Sequence, residues 1–256
     1  MLRQAGVRHV AHGDGDPVGA AELAAADEDA VALIGPFRSR DVAEAVAATA
    51  PAGLLLLAPV ATWAGITRDD EPGCDEDPAD HRGTVLRMVA RDTEVARRLA
   101  DYAREHGPAW VVAGSGEYGT QLDGQLRLVG LPRAMDPDEA MFALLAGVAD
   151  EPGMERARET DLPVIAFDGA QGLDLGAGRD VHVALPFAED PTHGIEAARA
   201  AKLVADALAA GATTRADVID ACRAAGPFDE HGDPIDPAVW LWRADDAWRL
   251  SPAHAI

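Results

Sequence analysis

Lysine is almost absent from the sequence. Lys202 is the only one among 256 residues, and 22 basic residues face 44 acidic ones, for a formal net charge of −22. Nucleic acid binding needs clustered Lys and Arg to neutralise phosphates, so this balance excludes it, and an anionic membrane surface is disfavoured for the same reason. Acidity on this scale favours solubility and works against anionic partners, while saying little about fold. Cysteine is scarce as well. Cys74 and Cys222 lie far apart and form neither a C-x-x-C motif nor a disulfide framework. Long apolar runs are missing: the longest, from Ala52 to Ile66, is interrupted by Gly53, Pro59 and Gly65 and falls short of the roughly 18 residues a membrane span needs. The segment Met1 to Gly6 lacks the apolar stretch and small-residue cleavage site of a secretory signal, so the sequence as it stands is expected in the cytoplasm.

The patterns that carry catalysis and metal binding are missing too. The eight histidines, His9, His12, His81, His106, His182, His193, His231 and His254, show no HExxH or other metal-ligand spacing. Cys74 sits among carboxylates that would raise its pKa, the reverse of what a nucleophile requires. Ser115 fails the G-x-S-x-G pattern because Ala113 stands where the first glycine belongs. No catalytic residue, metal ligand or cofactor is therefore assigned. The acidic stretch Asp69 to Asp80, with Pro72, Gly73 and Pro78, has loop composition, and its glycine and glutamate are not at the positions of a calcium-binding EF-hand loop.

What is present is an ordinary globular composition, 48% hydrophobic and 26% charged, organised as short apolar runs alternating with helical patterns. The runs 7–11, 30–34, 54–58, 109–113 and 163–167 read as strands. Between them, helices open at Asp16-Pro17, at Asp41 and at Asp92, the last with Val95, Leu99 and Tyr102 at helical spacing and a stop at Gly107. Two Ala-rich helices, 192–210 and 214–225, follow, the second opened by a Thr214-x-x-Asp217 capping box, and a terminal hairpin is expected from 239–243 and 248–250. Alternation of this kind is the signature of parallel βαβ units. Neighbour rules pair Val7–Ala11 with Ala30–Ile34.

Two features could hold a ligand. Gly114-Ser115-Gly116-Glu117-Tyr118-Gly119 is a literal G-x-G-x-x-G after a strand, as in a dinucleotide site, although Asp136 and Asp138, the candidate ribose acids, sit in a Pro-rich turn and not at a strand end. The loops Gly35 to Ser39 and Pro59 to Thr62 follow neighbouring strands at the edge where open α/β sheets bind ligands. Ordinary loop chemistry, with Ser39 capping a helix, accounts for them equally well.

Read together, several pieces resemble a known family. Ala32-Leu33-Ile34-Gly35-Pro36-Phe37-Arg38-Ser39 followed by Ala58-Pro59-Val60-Ala61-Thr62 is similar to the first-lobe loops of the leucine/isoleucine/valine-binding family of type I periplasmic binding proteins. Leu86-Arg87 through Asp92 resembles that family's crossing into the second lobe, and Glu117-Tyr118-Gly119 its YG element. Phe167-Asp168-Gly169 and the turn from Gly226 to Pro234 are similar to further family elements, in the same order. The chain departs from the pattern before Gly6, where the family's first strand and helix are missing, and between Tyr118 and Pro163, where the second lobe is shorter.

The resemblance implies an α/β fold of two Rossmann-like lobes with parallel sheets joined by a hinge. Lobe I is expected at 1–87 plus 188–226 and lobe II at 88–187 plus 227–256. It also implies a non-enzymatic solute-binding protein that closes on an amino acid or related zwitterion in an interlobe cleft, with an ABC permease or another protein as partner. Ser39, Val60, Ala61 and Thr62 would take the ligand carboxylate, Asp168 its ammonium, and Tyr118 would cover it. An intracellular sensor on the same fold, and a nucleotide-dependent enzyme using the Gly114–Gly119 loop, are the alternatives.

Overall fold

The computed structural model describes residues 16–68, 83–186, 194–246 and 248–256. The expected strand 7–11 with its pairing, the acidic stretch 69–80 and Cys74 lie outside these. Contacts divide the chain into two compact units, Met1–Arg91 with Thr192–Pro237 and Asp92–Pro191 with Ala238–Ile256.

In the first unit, β1 (Ala32–Ile34), β2 (Leu55–Ala58) and β3 (Val85–Arg87) form a parallel sheet in that order. All four residues of β2 are buried, as a central parallel strand covered on both faces requires. Leu56 and Ala58 pack with Val42, Ala45 and Val46 on one face. Leu55 and Leu57 meet Ala200, Val204, Val218 and Cys222 on the other. The helices supply these stripes by their spacing. In α2 (Ser39–Thr49), Val42, Ala45, Val46 and Thr49 recur at i, i+3, i+4 and i+7 and are the buried positions.

The helix ends behave as the sequence leads one to expect. α1 (Pro17–Ala26) starts with proline, and the Asp16 carboxylate accepts from the Gly19 N–H at 2.8 Å. α5 (Gly194–Ala209) leads to α6 (Arg215–Ala225), whose Thr214 and Asp217 make the reciprocal capping box. Cys222 is buried, and burial pushes its thiol up to about 11, far from a reactive thiolate.

A buried ionic cluster stitches three segments of this unit together. Arg87, at the end of β3, has no exposed surface. Its Nε donates to Asp233 Oδ1 at 2.9 Å, and the same oxygen accepts from the Thr67 hydroxyl at 2.8 Å. The other carboxylate oxygen takes Arg68 Nε at 3.0 Å and lies 3.5 Å from Arg91 Nε. The Arg87 backbone N–H donates to the Gly232 carbonyl at 2.8 Å. A Cβ on Gly232 would overlap the Val85 carbonyl, and its φ is 88°, so only glycine brings this turn so close. These contacts correct the assignment of 227–237 to the second lobe: the segment belongs to the first unit because Asp233 is the counterion of Arg87. The sequence reading also passed over β3, since three residues ending in a charge do not read as a buried strand.

In the second unit, β4 (Ala109–Ala113), β5 (Phe142–Ala146), β6 (Val164–Phe167), β7 (Val181–Leu185), β8 (Trp240–Ala244) and β9 (Leu250–Ala255) form one sheet in chain order. The first four run parallel, and the expected hairpin of β8 and β9 is added antiparallel to β7. The sheet is thus not wholly parallel. β5 and β7 were not anticipated. α3 (Asp92–His106) and α4 (Glu117–Leu128) complete the unit, α3 burying Val95, Ala96, Leu99, Ala100 and Ala103 on one stripe.

Burial alone would push the Asp233 carboxyl upward. The Arg87 charge and the hydrogen bonds from Thr67, Arg87 and Arg68 outweigh it and hold the pKa below the usual carboxylate range. A depressed folded pKa contributes stability that is complete above the unfolded value, about 3.9, and disappears as pH falls through the folded one. Asp233→Asn keeps the shape but leaves Arg87 buried without its counterion, and should cost about 3 to 5 kcal/mol. Urea denaturation at neutral pH measures this. The variant should also lose part of the wild-type drop in stability below about pH 4, and a cost near zero would show that the cluster does not hold the fold.

Candidate functional site

Residues with ligand chemistry collect at the carboxyl ends of the parallel strands in each unit, where open α/β sheets bind ligands. In the second unit, Tyr118 stands in the first turn of α4, after β4, and Asp168 directly follows β6. The Tyr118 hydroxyl lies 3.3 Å from Asp168 Oδ1 and 3.3 Å from Asp92 Oδ1. One phenolic proton therefore faces two carboxylates and can be donated to only one at a time. The Asp168 oxygen also accepts the Gly169 N–H at 2.7 Å, which orients it. Burial, followed by the charges of Asp168 and Asp92, raises the Tyr118 pKa well above its usual value, so the hydroxyl stays protonated at any ordinary pH. Chemically, two carboxylates around one neutral hydroxyl suit this corner to a cation more than to an anion.

The structure thus joins Tyr118 to Asp168 and adds Asp92, which the sequence reading did not name as a site residue. Its signal was present, since Asp92 closes the crossing motif that begins at Leu86-Arg87. As the first residue of α3 it also reads as a plain helix start, and that role concealed the other.

The glycine motif has a different explanation from the nucleotide one. Glu151 places its carboxylate in the glycine cradle, so that a Cβ added at Gly114, Gly116, Gly119 or Gly147 would overlap it. Its oxygens lie 3.4 Å from the Gly119 N–H and 3.3 Å from the Val148 N–H. A carboxylate of the chain itself occupies the place where a dinucleotide pyrophosphate would approach the backbone at the start of α4. The glycines make room for Glu151 and, at Gly119, for the Gly114 carbonyl, so the motif has a role within the fold that does not require a nucleotide.

In the first unit, the expected residues form one loop pair. Ser39 is the first residue of α2, whose N-cap is Arg38 and lacks a side-chain cap hydrogen bond. The Ser39 hydroxyl accepts the Trp63 N–H at 3.2 Å and thereby ties the start of α2 to the loop carrying Val60, Ala61 and Thr62. Ser39 is thus not the helix cap. Arg87 controls the same loop from below: its guanidinium donates to the Ala61 carbonyl and, at 3.0 Å, to the Trp63 carbonyl. In a trans peptide the N–H points opposite to the C=O, so the Thr62 and Ala64 N–H groups are turned away from the guanidinium. The uncapped start of α2 and the Ser39 and Thr62 hydroxyls are donors of a kind that suits an anion.

No known family profile matches the chain, and no curated protein matches it. Solved structures do. An ABC transporter substrate-binding protein from Desulfitobacterium hafniense is 21% identical, with a TM-score of 0.72 over 93% of this chain and 84% of that one. The branched-chain amino acid transporter substrate-binding protein LivJ from Streptococcus pneumoniae, in complex with isoleucine, is 14% identical, with a TM-score of 0.68 over 94% and 83%. A solute-binding protein from R. palustris, in complex with benzoate, is 15% identical, with a TM-score of 0.66 over 100% and 89%. At these identities the likeness shows the fold: the chain has the α/β fold of type I periplasmic binding proteins. Among the described residues, no helix is long and apolar enough to cross a membrane.

Because Glu151 fills the glycine cradle, NAD, NADP and ATP should leave the melting temperature unchanged, and calorimetry should find no nucleotide binding. Glu151→Ala, which removes an acceptor from the start of α4, should cost about 0.5 to 2 kcal/mol. Micromolar affinity of the unaltered chain for any of the three nucleotides would overturn this reading of the loop.

Proposed function

We propose that the chain is a non-enzymatic solute-binding protein whose ligand is an amino acid or a related small zwitterion. The observation that carries this reading is the pairing of Asp168 and Asp92 about the Tyr118 hydroxyl. Two anions around one neutral donor favour an ammonium over any anion. The ligand carboxylate would go to Ser39, Val60, Ala61 and Thr62, where hydroxyls and loop N–H groups suit it. Opposite ends of a zwitterion would then meet opposite partners, through charge-assisted hydrogen bonds. The neighbours support the class of ligand, since one of them is a branched-chain amino acid transporter substrate-binding protein in complex with isoleucine. Benzoate, held by another neighbour, carries no ammonium, and the carboxylate pair argues against such a ligand here. An ABC permease is the partner this reading implies.

Binding is tested by thermal shift and calorimetry with single amino acids; a ligand at about 100 times its Kd adds about 2.7 kcal/mol to stability. Asp168→Asn should weaken binding by about 2 to 5 kcal/mol, as when one member of a buried charge pair is removed. Thr62→Val should cost less, about 1.5 to 3 kcal/mol at most, because the backbone N–H remains. Neither change should move the melting temperature of the unliganded protein much. Unchanged affinity together with a clear loss of unliganded stability would make both residues structural and end the assignment.

A further inference from the structure

The second unit contains a cavity of about 350 Å³ that the proposed amino-acid site does not use. It lies between the loop leading into β7 and the turn joining β8 to β9, and Leu173, Leu175, Val181, Arg179, Asp246 and Trp248 line it. Val181 opens β7 and is paired with Ala244, the last residue of β8. The cavity therefore opens at the amino end of the parallel strands, whereas Asp168 and Tyr118 stand at their carboxyl ends. A five-residue strand separates the two edges, about 15 Å at roughly 3.3 Å per residue.

We propose that this cavity is a second ligand site, for a small alkanolammonium ion such as choline. Leu173, Leu175 and Val181 are nearly buried and give it an apolar floor. Trp248 forms a wall. Its indole N–H donates to the Leu173 carbonyl at 3.2 Å, which fixes the ring, and its φ of 57° is a left-handed value that a bulky residue rarely adopts. An aromatic wall over an apolar floor suits the methyl groups and charge of a quaternary ammonium.

The carboxylates at the mouth are not equivalent. Asp174 lies 3.4 Å from Arg158 Nη2, and Asp245 lies 2.7 Å from Arg249 Nε. Asp246 accepts only the Gly178 N–H, at 3.0 Å through Oδ1, and makes no ion pair among the described residues. Its charge is the one left to face a cation. Arg179 is the opposite pole: its Nη2 donates to the Ala157 and Leu162 carbonyls, at 3.3 and 3.2 Å, which holds the guanidinium in the cavity wall with its charge unneutralised by any carboxylate among the described residues. A ligand hydroxyl would accept from the guanidinium edge that lines the cavity. Ammonium for Asp246 and Trp248, and oxygen for Arg179, together define the alkanolammonium class. The strongly negative chain would also concentrate small cations around it.

The test uses the full chain, with choline and its neutral isostere 3,3-dimethylbutan-1-ol as probes, followed by tryptophan fluorescence and calorimetry. Choline should bind saturably, and the neutral isostere about tenfold more weakly, the scale of a cation over an aromatic face together with a surface ion pair. Asp246→Asn should weaken choline by a similar factor and leave the melting temperature unchanged, since the amide oxygen still accepts from Gly178. Leucine affinity should be the same in this variant as in the unaltered chain, which separates the outcome from that of the amino-acid site. Absence of saturable choline binding, equal binding of the two probes, or an Asp246→Asn variant with undiminished choline affinity would each overturn the proposal.

Discussion

The buried pairing of Arg87 with Asp233 joins parts of the first unit that are far apart in sequence. Asp233 brings the turn at 229–233 against β3, while the other side of the Arg87 guanidinium holds the Ala61 and Trp63 carbonyls. One side chain thus fixes both a sheet edge and the direction of the loop N–H groups proposed to meet a ligand carboxylate. A buried ion pair is a poor source of net stability, because desolvation offsets most of the attraction. Here its consequence is geometric. An apolar pair of the same volume could fill the space but could not aim two carbonyls.

A similar economy governs the second unit. Glu151 fills a cradle of four glycines, and by accepting from Gly119 and Val148 it fixes the start of α4. Tyr118 is the next residue along that turn from Glu117, so the carboxylate that blocks a nucleotide also helps to place the tyrosine against Asp92 and Asp168. A glycine pattern that suggests phosphate binding by its letters alone is satisfied by a carboxylate from the chain. The difference lies in a residue 32 positions from Gly119, which no local pattern could reveal.

Local signals in the sequence were sufficient wherever local chemistry decides the structure. Asp16-Pro17 and Thr214-x-x-Asp217 marked helix starts through side-chain caps that need only their own turn. β4 was read with its observed bounds because Ala109–Ala113 is an uninterrupted apolar run between a proline and a glycine. β3 and β7 were missed for a common reason: Arg87 and His182 interrupt the apolar pattern. Arg87 is accommodated by Asp233, far along the chain, and His182 lies beside the ring of His254 from β9. The candidate site was legible in parts. Tyr118 and Asp168 could be named from a resemblance in motif order, but their convergence with Asp92 on one hydroxyl depends on strand order, which motifs do not state.

The central claim is that the carboxylate pair at Tyr118 selects a ligand carrying an ammonium group. Calorimetric titration of the unaltered chain with leucine and with 4-methylpentanoate, the same molecule without its amine, addresses this most directly. The account predicts measurable leucine binding and a des-amino analogue weaker by about 2 kcal/mol or more, the low end for loss of one partner of a buried charge pair. Equal binding of the two compounds, or tighter binding of the analogue, would contradict it.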